Sequence, residues 1–202
     1  MDQNNPGFSV QHPSIFSYMI RKAIIFFTIL LLFQSPGLTL GARLNNIIVT
    51  NTRDHLLVYM SVDGAFREEI KKAILSGVPV SFVYVIELHR ERNFWPDKTL
   101  AEIRAIHTIK YDNLKKEFSI ERSWETGDPA VTKSFEQARK LMTEIDSLKV
   151  VPLIDLNKGT QYQIRAKAEL SKRTLPFYLH YVLFFVSLWD FETDWYTIDF
   201  IY

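Results

Sequence analysis

Three sets of side chains have the types and spacing to do chemistry. Asp190, Glu192 and Asp194 stand at i, i+2 and i+4, so on a strand they project to one side. Clustered oxygen ligands suit a hard cation such as calcium. An EF-type loop also needs a glycine turn and a distal Glu, and both are missing, so the stretch reads first as a solvated acidic interruption and no metal site is assigned. Beyond the amino-terminal segment, the histidines His55, His89, His107 and His180 follow no HxxxH or HExxH spacing. His89 and His107 fall on two strands expected to pair, which could bring them close. Two imidazoles without a thiolate or a nearby carboxylate still make a poor zinc site, and the expectation is independent, partly exposed histidines. The third set, Arg90, Arg92, Trp95, Arg104 and Lys110, surrounds the same hairpin as a basic, aromatic-containing edge. Such an edge suits anionic headgroups or an acidic partner. The same charges would equally guard an edge strand against aggregation.

Covalent catalysis finds little footing. No GxSxG, SxxK, P-loop or GxGxxG pattern occurs. A Ser-His-Asp set can assemble in space from any chain order, so a hydrolase built on His107 or His180 stays as the least favoured function. The 202 residues include no cysteine, which excludes a disulfide framework, thiolate zinc, iron–sulfur clusters and a thiol nucleophile. A net charge of +1 lacks the basic surface that a generic nucleic-acid binder needs. With 47% hydrophobic residues the chain is too apolar for disorder.

These residues must be delivered and positioned. Arg21 and Lys22 precede an uncharged apolar run, residues 23–33, which ends at Gln34-Ser35-Pro36-Gly37 and is followed by the small residues Gly41 and Ala42. Basic region, apolar region, breaker and small residues are the order of a signal peptide. Counting Leu38 and Leu40, residues 23–42 just reach a tilted membrane anchor, the second reading; a buried core helix is the third. Positive residues on the amino-terminal side direct the remainder away from the cytoplasm. Residues 1–42 hold Asp2 against Arg21 and Lys22, so the other 160 residues carry 22 basic and 22 acidic groups.

Residues 43–202 read as one extracytoplasmic α+β domain, an antiparallel β-sheet meander or sandwich-like core with about two amphipathic helices. Apolar runs at 44–50 and 55–62 predict a hairpin. Phe66, Ile70, Ala73 and Ile74 at helical spacing predict a helix over 66–75 with Gly77 as its stop. Residues 78–92, 101–111 and 116–121 predict consecutive strands, the first apolar on both faces at its start. Phe135, Ala138, Leu141, Met142 and Ile145 predict a second helix over 132–145. Tyr162, Ile164, Ala166, Ala168 and Leu170 alternate with polar residues in a two-faced strand.

The carboxy-terminal part differs. Residues 174–202 hold eleven of the 28 aromatic residues. Residues 175–189 are apolar nearly all round, too short to cross a bilayer, and therefore expected to be buried or to meet a partner or lipid. Residues 195–201 predict a terminal strand.

Three stretches together carry a family resemblance. They are Ser76-Gly77-Val78-Pro79 leading into Phe82-Val83-Tyr84-Val85-Ile86-Glu87 and Arg90-Glu91-Arg92; Gly159-Thr160-Gln161-Tyr162-Gln163-Ile164-Arg165 running to Leu175-Pro176; and Trp189-Asp190-Phe191-Glu192-Thr193-Asp194-Trp195-Tyr196. In this order, after an apolar amino-terminal segment, the chain resembles the bacterial domain-of-unknown-function 4390 family over about residues 44–200. The resemblance implies an envelope protein and brings no catalytic residues. Some similar proteins are encoded beside a sensor histidine kinase, which implies a partner of that kind.

The function expected from all this is a non-enzymatic binding module of the periplasm, exported or anchored in the inner membrane. Its partner would be an envelope protein or membrane sensor; no cofactor and no nucleic acid are expected. The candidate interaction surface is Arg90, Arg92, Trp95, Trp189 and Trp195. The alternative is a domain binding lipid or another apolar ligand, with the aromatic residues of 175–189 lining a cavity.

Overall fold

A computed structural model describes residues 41–91, 97–171 and 191–202. The described residues belong to one compact unit. Of the expected export or anchor segment, residues 1–40 lie outside the described residues, and Ala42 is buried in the apolar core of the described ones.

The described residues form two antiparallel sheets and two helices, an α+β protein with mostly β content. Strands β1 (Arg43–Asn51), β2 (His55–Asp63) and β7 (Glu144–Pro152) make a three-stranded sheet in the order β1-β2-β7. Strands β3 (Val80–Arg90), β4 (Lys98–Asp112), β5 (Glu117–Arg122), β6 (Ala130–Thr132), β8 (Gln161–Leu170) and β9 (Tyr196–Ile201) make a six-stranded sheet ordered β6-β5-β4-β3-β8-β9. The expected meander is its β3-β4-β5 part. The expected hairpin is β1-β2.

Strand β3 is the spine of the larger sheet, with β4 on one side and β8 on the other. Central strands read as continuous apolar runs because both faces are covered. Accordingly, Val80 to Ile86 is buried without a break. Phe82, Tyr84, Ile86 and Leu88 are fully buried on the inner face, and each such side chain stabilises the fold by roughly 1.5–3 kcal/mol. On the outer face Val85 is flanked in register by Arg104 of β4 and Lys167 of β8, whose aliphatic stems can shield it. Strand β8 keeps its predicted alternation: Tyr162, Ile164, Ala166 and Ala168 are buried, and the residues between them are not.

Helix α1 (Glu68–Leu75) begins two residues later than the periodicity suggests. Phe66 stands before the helix, edge-on to Phe82 and Phe135 at 5.2 and 5.9 Å between ring centroids. The helix stops as predicted at Gly77, whose φ of 86° closes a turn in which Gly77 N–H donates to the Ile74 carbonyl and Val78 N–H to the Ala73 carbonyl.

Helix α2 (Phe135–Thr143) is shorter than 132–145. Ser134 caps its first turn by accepting from Gln137 N–H at 3.3 Å, and Thr132 belongs to β6. At the other end Ile145 keeps helical spacing in sequence but lies on β7, a strand that the pattern did not foretell. One apolar cluster takes in Val58, Met60 and Val62 of β2, Ile70 and Ile74 of α1, Ala138 and Met142 of α2, and the inner face of β3 and β8.

Bulges decide which side chains reach that cluster. Asn46 (φ 51°) and Ser147 (φ 56°) are left-handed residues at irregularities in the β1-β2 and β2-β7 registers. Each adds one residue to its strand and so reverses the face that follows. Leu44 faces the cluster before the first bulge, and Ile47 and Val49 face it afterwards, leaving Ile48 exposed.

Candidate functional site

The inner and outer faces of the six-stranded sheet carry two different polar constellations. On the inner side, β3 supplies Tyr84 and β4 supplies His107 in neighbouring registers, with ring centroids 4.8 Å apart. Tyr84 Oη donates to the Met142 carbonyl at 2.6 Å. His107 Nδ1 lies 3.0 Å from the same oxygen, and Trp124 Nε1–H donates to His107 Nε2 at 3.0 Å. Trp124 can only donate, so Nε2 must accept and the proton sits on Nδ1. Burial lowers the His107 pKa to about 4; the Met142 carbonyl opposes that shift and the Arg122 charge reinforces it. Burial likewise pushes the Tyr84 phenol far above its ordinary value, with Glu144 adding to the effect.

His55 and His89 are partly exposed as expected, whereas His107 is fully buried. Both of its nitrogens are engaged, one by a carbonyl and one by an indole, so in this arrangement it is not poised as a general base. His89 is not its neighbour. His89 pairs with Thr99 and His107 with Phe82 along the hairpin. His89 Nε2 lies 2.9 Å from Glu87 and its Nδ1 3.2 Å from Thr99 Oγ1. His180 lies outside the described residues.

On the outer side, Arg165 and Lys167 follow each other on the polar face of β8, and the chain entering β9 brings Trp195 over them. The Arg165 guanidinium carbon is 4.8 Å from the Trp195 ring centroid and the Lys167 ammonium 5.2 Å. Lys167 is itself held by Glu192 at 2.7 Å and Glu169 at 3.2 Å. Its hydrogen bond to Glu192 chiefly raises its pKa and keeps it charged. Trp195 remains 37% exposed. A cation against an indole in partly exposed surroundings contributes about 0.5–1 kcal/mol, a bias of roughly two- to fivefold toward this orientation of the ring.

The expected basic edge is not continuous. Arg90 pairs with Tyr162 and shares the parity of the buried inner row. Arg104 pairs with Val85 on the outer parity and is joined to Glu102 at 3.2 Å. Arg90 of β3 and Arg104 of β4 therefore fall on opposite faces of the sheet. Trp195 belongs with Arg165 and Lys167 rather than with Arg90. Arg92, Trp95 and Trp189 lie outside the described residues, as do residues 175–189, on which the apolar-ligand alternative rests. Asp190 is outside them too. Glu192 is committed to Lys167, and among the described residues no group of three or more His, Asp or Glu side chains is placed to hold a metal ion.

The sequence does not mark Arg165 and Lys167 as site residues, because on their own strand they are two ordinary charges of a polar face. The signal was the alternation of β8; what it lacked was the identity of the strand beside it.

These features define a mostly β, α+β protein that presents a braced aromatic on one sheet face and a sealed polar cluster behind the other. The chain belongs to the family described as Domain of unknown function (DUF4390), which matches residues 40–199. No curated protein and no solved structure matches it.

Proposed function

We propose that the chain is a non-enzymatic interaction module acting outside the cytoplasm, exported or membrane-anchored by residues 1–42, and that the outer sheet face around Trp195 contacts its partner. The observation that carries this reading is the Trp195 ring, exposed yet resting against Arg165 and Lys167. Tryptophan and arginine dominate binding energy at protein interfaces, and a side chain fixed before contact loses little entropy on binding. The order of Arg21, Lys22, the apolar run and the breaker supports the location. The partner that suits this face is an envelope protein or a membrane sensor, such as a sensor histidine kinase, offering a carboxylate beside an apolar contact.

The test is in-membrane cross-linking of the full chain, wild type against Trp195→Ala and Arg165→Glu. A partner adduct that both variants lose, while their protease-resistance pattern is unchanged, supports this surface. An adduct retained at full strength by both rejects it.

A further inference from the structure

Two sheets present four edges, and three are blunted. Strand β6 has only three residues. Strand β1 is bulged at Asn46 and lined by Arg43, Asn45 and Asn51. Strand β7 has two register irregularities against β2, carries Asp146 and Lys149, and ends at Pro152. Bulges, charges, proline and shortness are the devices that keep sheet edges from pairing. Strand β9 has no bulge and no proline, is six residues long, and carries a single charge. Its register with β8 runs without a break from Gln161↔Ile201 to Ala166↔Tyr196. Its one charge, Asp199, accepts from Gln163 Nε2 at 2.9 Å. Ile201 is 73% and Tyr196 47% exposed. Among the described residues, no strand lies against its far side.

The direction of its backbone groups follows from its end. Tyr202 N–H donates to the Thr160 carbonyl, and the Tyr202 carbonyl accepts from Gly159 N–H, so the Tyr202 groups face β8. The alternation of an antiparallel pair then turns the groups of Thr197, Asp199 and Ile201 toward the open edge.

We infer that β9 is a pairing edge for a second copy of this chain, with β9 meeting β9 antiparallel about a twofold axis at Ile198. A continuous sheet requires paired residues of equal parity, so the axis falls on a residue. With Ile198 on the axis, Tyr196 opposes Phe200 of the second copy and Thr197 opposes Asp199. Trp195, just before the strand, opposes Ile201. Aromatic meets aromatic, apolar meets apolar, and the carboxylate meets a hydroxyl. Moving the axis to Asp199 would set two carboxylates directly opposite each other, which disfavours that register. Thr197 and Asp199 exchange the outward N–H and carbonyl groups, and Ile198 faces its own copy in a non-hydrogen-bonded pair about 4.5 Å apart at Cα. The inference does not depend on a partner at the Trp195 face.

The absence of cysteine makes a direct test available. The full chain carrying Ile198→Cys is oxidised in its own membranes, where the predicted separation lies within the range a disulfide spans. A dimer-mass adduct is expected from Ile198→Cys and from the pair Thr197→Cys with Asp199→Cys, and much less from Thr197→Cys alone. Ile198→Cys that stays monomeric while retaining the parent's protease-resistance pattern overturns the inference. So does equal cross-linking by Leu114→Cys at an exposed hairpin tip, which signals random collision. An adduct only with another protein replaces self-pairing by an extended partner strand. Should Ile198→Cys fail to fold, the wild-type chain in detergent answers by light scattering. Two copies per particle are expected, falling to one in Thr197→Pro, which removes an edge N–H that β8 does not use. One copy in the wild type, or two copies unaffected by that proline, overturns the inference.

Discussion

Tyr84 and His107 donate to one acceptor, the carbonyl oxygen of Met142, at 2.6 and 3.0 Å. The acceptor is in the last turn of α2, where helix carbonyls have no partner of their own. Two side chains from adjacent strands thus satisfy a group that the helix leaves open and tie α2 to the centre of the six-stranded sheet. The Trp124 indole completes the set from the β5-β6 loop. Each member solves another's desolvation problem, which is how polar groups persist in an apolar core.

Tyr84→Phe should lower stability by about 1 kcal/mol, the net value of one buried hydrogen bond. The loss stays modest because His107 still donates to the Met142 carbonyl. Met142→Ala should cost more, about 2–5 kcal/mol, because a fully buried side chain leaves a cavity. Urea unfolding of the two variants beside the wild type measures both.

His107 should make the fold acid-sensitive. Its native pKa of about 4 lies below the unfolded 6.5, so between those values the unfolded chain binds more protons. Its contribution is full above about pH 6.5 and is lost as pH falls toward 4, up to roughly 3 kcal/mol. His107→Gln keeps a donor and an acceptor but cannot titrate. The stability difference between wild type and His107→Gln should therefore shift against the wild type across that window. Parallel pH profiles would contradict this assignment.

Asn46 should tolerate glycine and reject a β-branched residue. Its φ of 51° is a conformation that costs other L-residues about 1–2 kcal/mol. Its side chain also donates to Ser61 Oγ at 3.2 Å. Asn46→Val is expected to lose about 1–3 kcal/mol and Asn46→Gly under 1 kcal/mol. Thermal melts of both resolve the difference.

Gly77→Ala should cost about 1–2 kcal/mol, since Gly77 sits at φ 86° and an added Cβ would come within 3.0 Å of the Asn113 side-chain nitrogen. Asn113 is flexible enough to yield, so pairing Gly77→Ala with Asn113→Ala should recover little. A double-mutant cycle in urea checks that the backbone, not the contact, sets the penalty.

Local pattern determined a large part of this protein. The alternation of β8, the two-faced burial of β3, the core face of α1 with its stop at Gly77, and the paired runs of β1 and β2 all follow from side-chain periods that nearest neighbours impose. So does the family, which rests on ordered motifs. Strand β7 escaped because the Ser147 bulge breaks its alternation, so Ile145 and Leu148 share a face at a spacing that no regular strand has. The candidate sites escaped for a related reason. Arg165 meets Trp195 only because β9 returns beside β8 from thirty residues further along, and Arg90 leaves Arg104 only because their strands set them on opposite parities. His107 is neutral and sealed because a helix carbonyl and an indole from other elements close around it. Periodicity specifies which face a residue shows; which neighbour stands there depends on pairings between distant segments, and those are decided only when the sheets assemble.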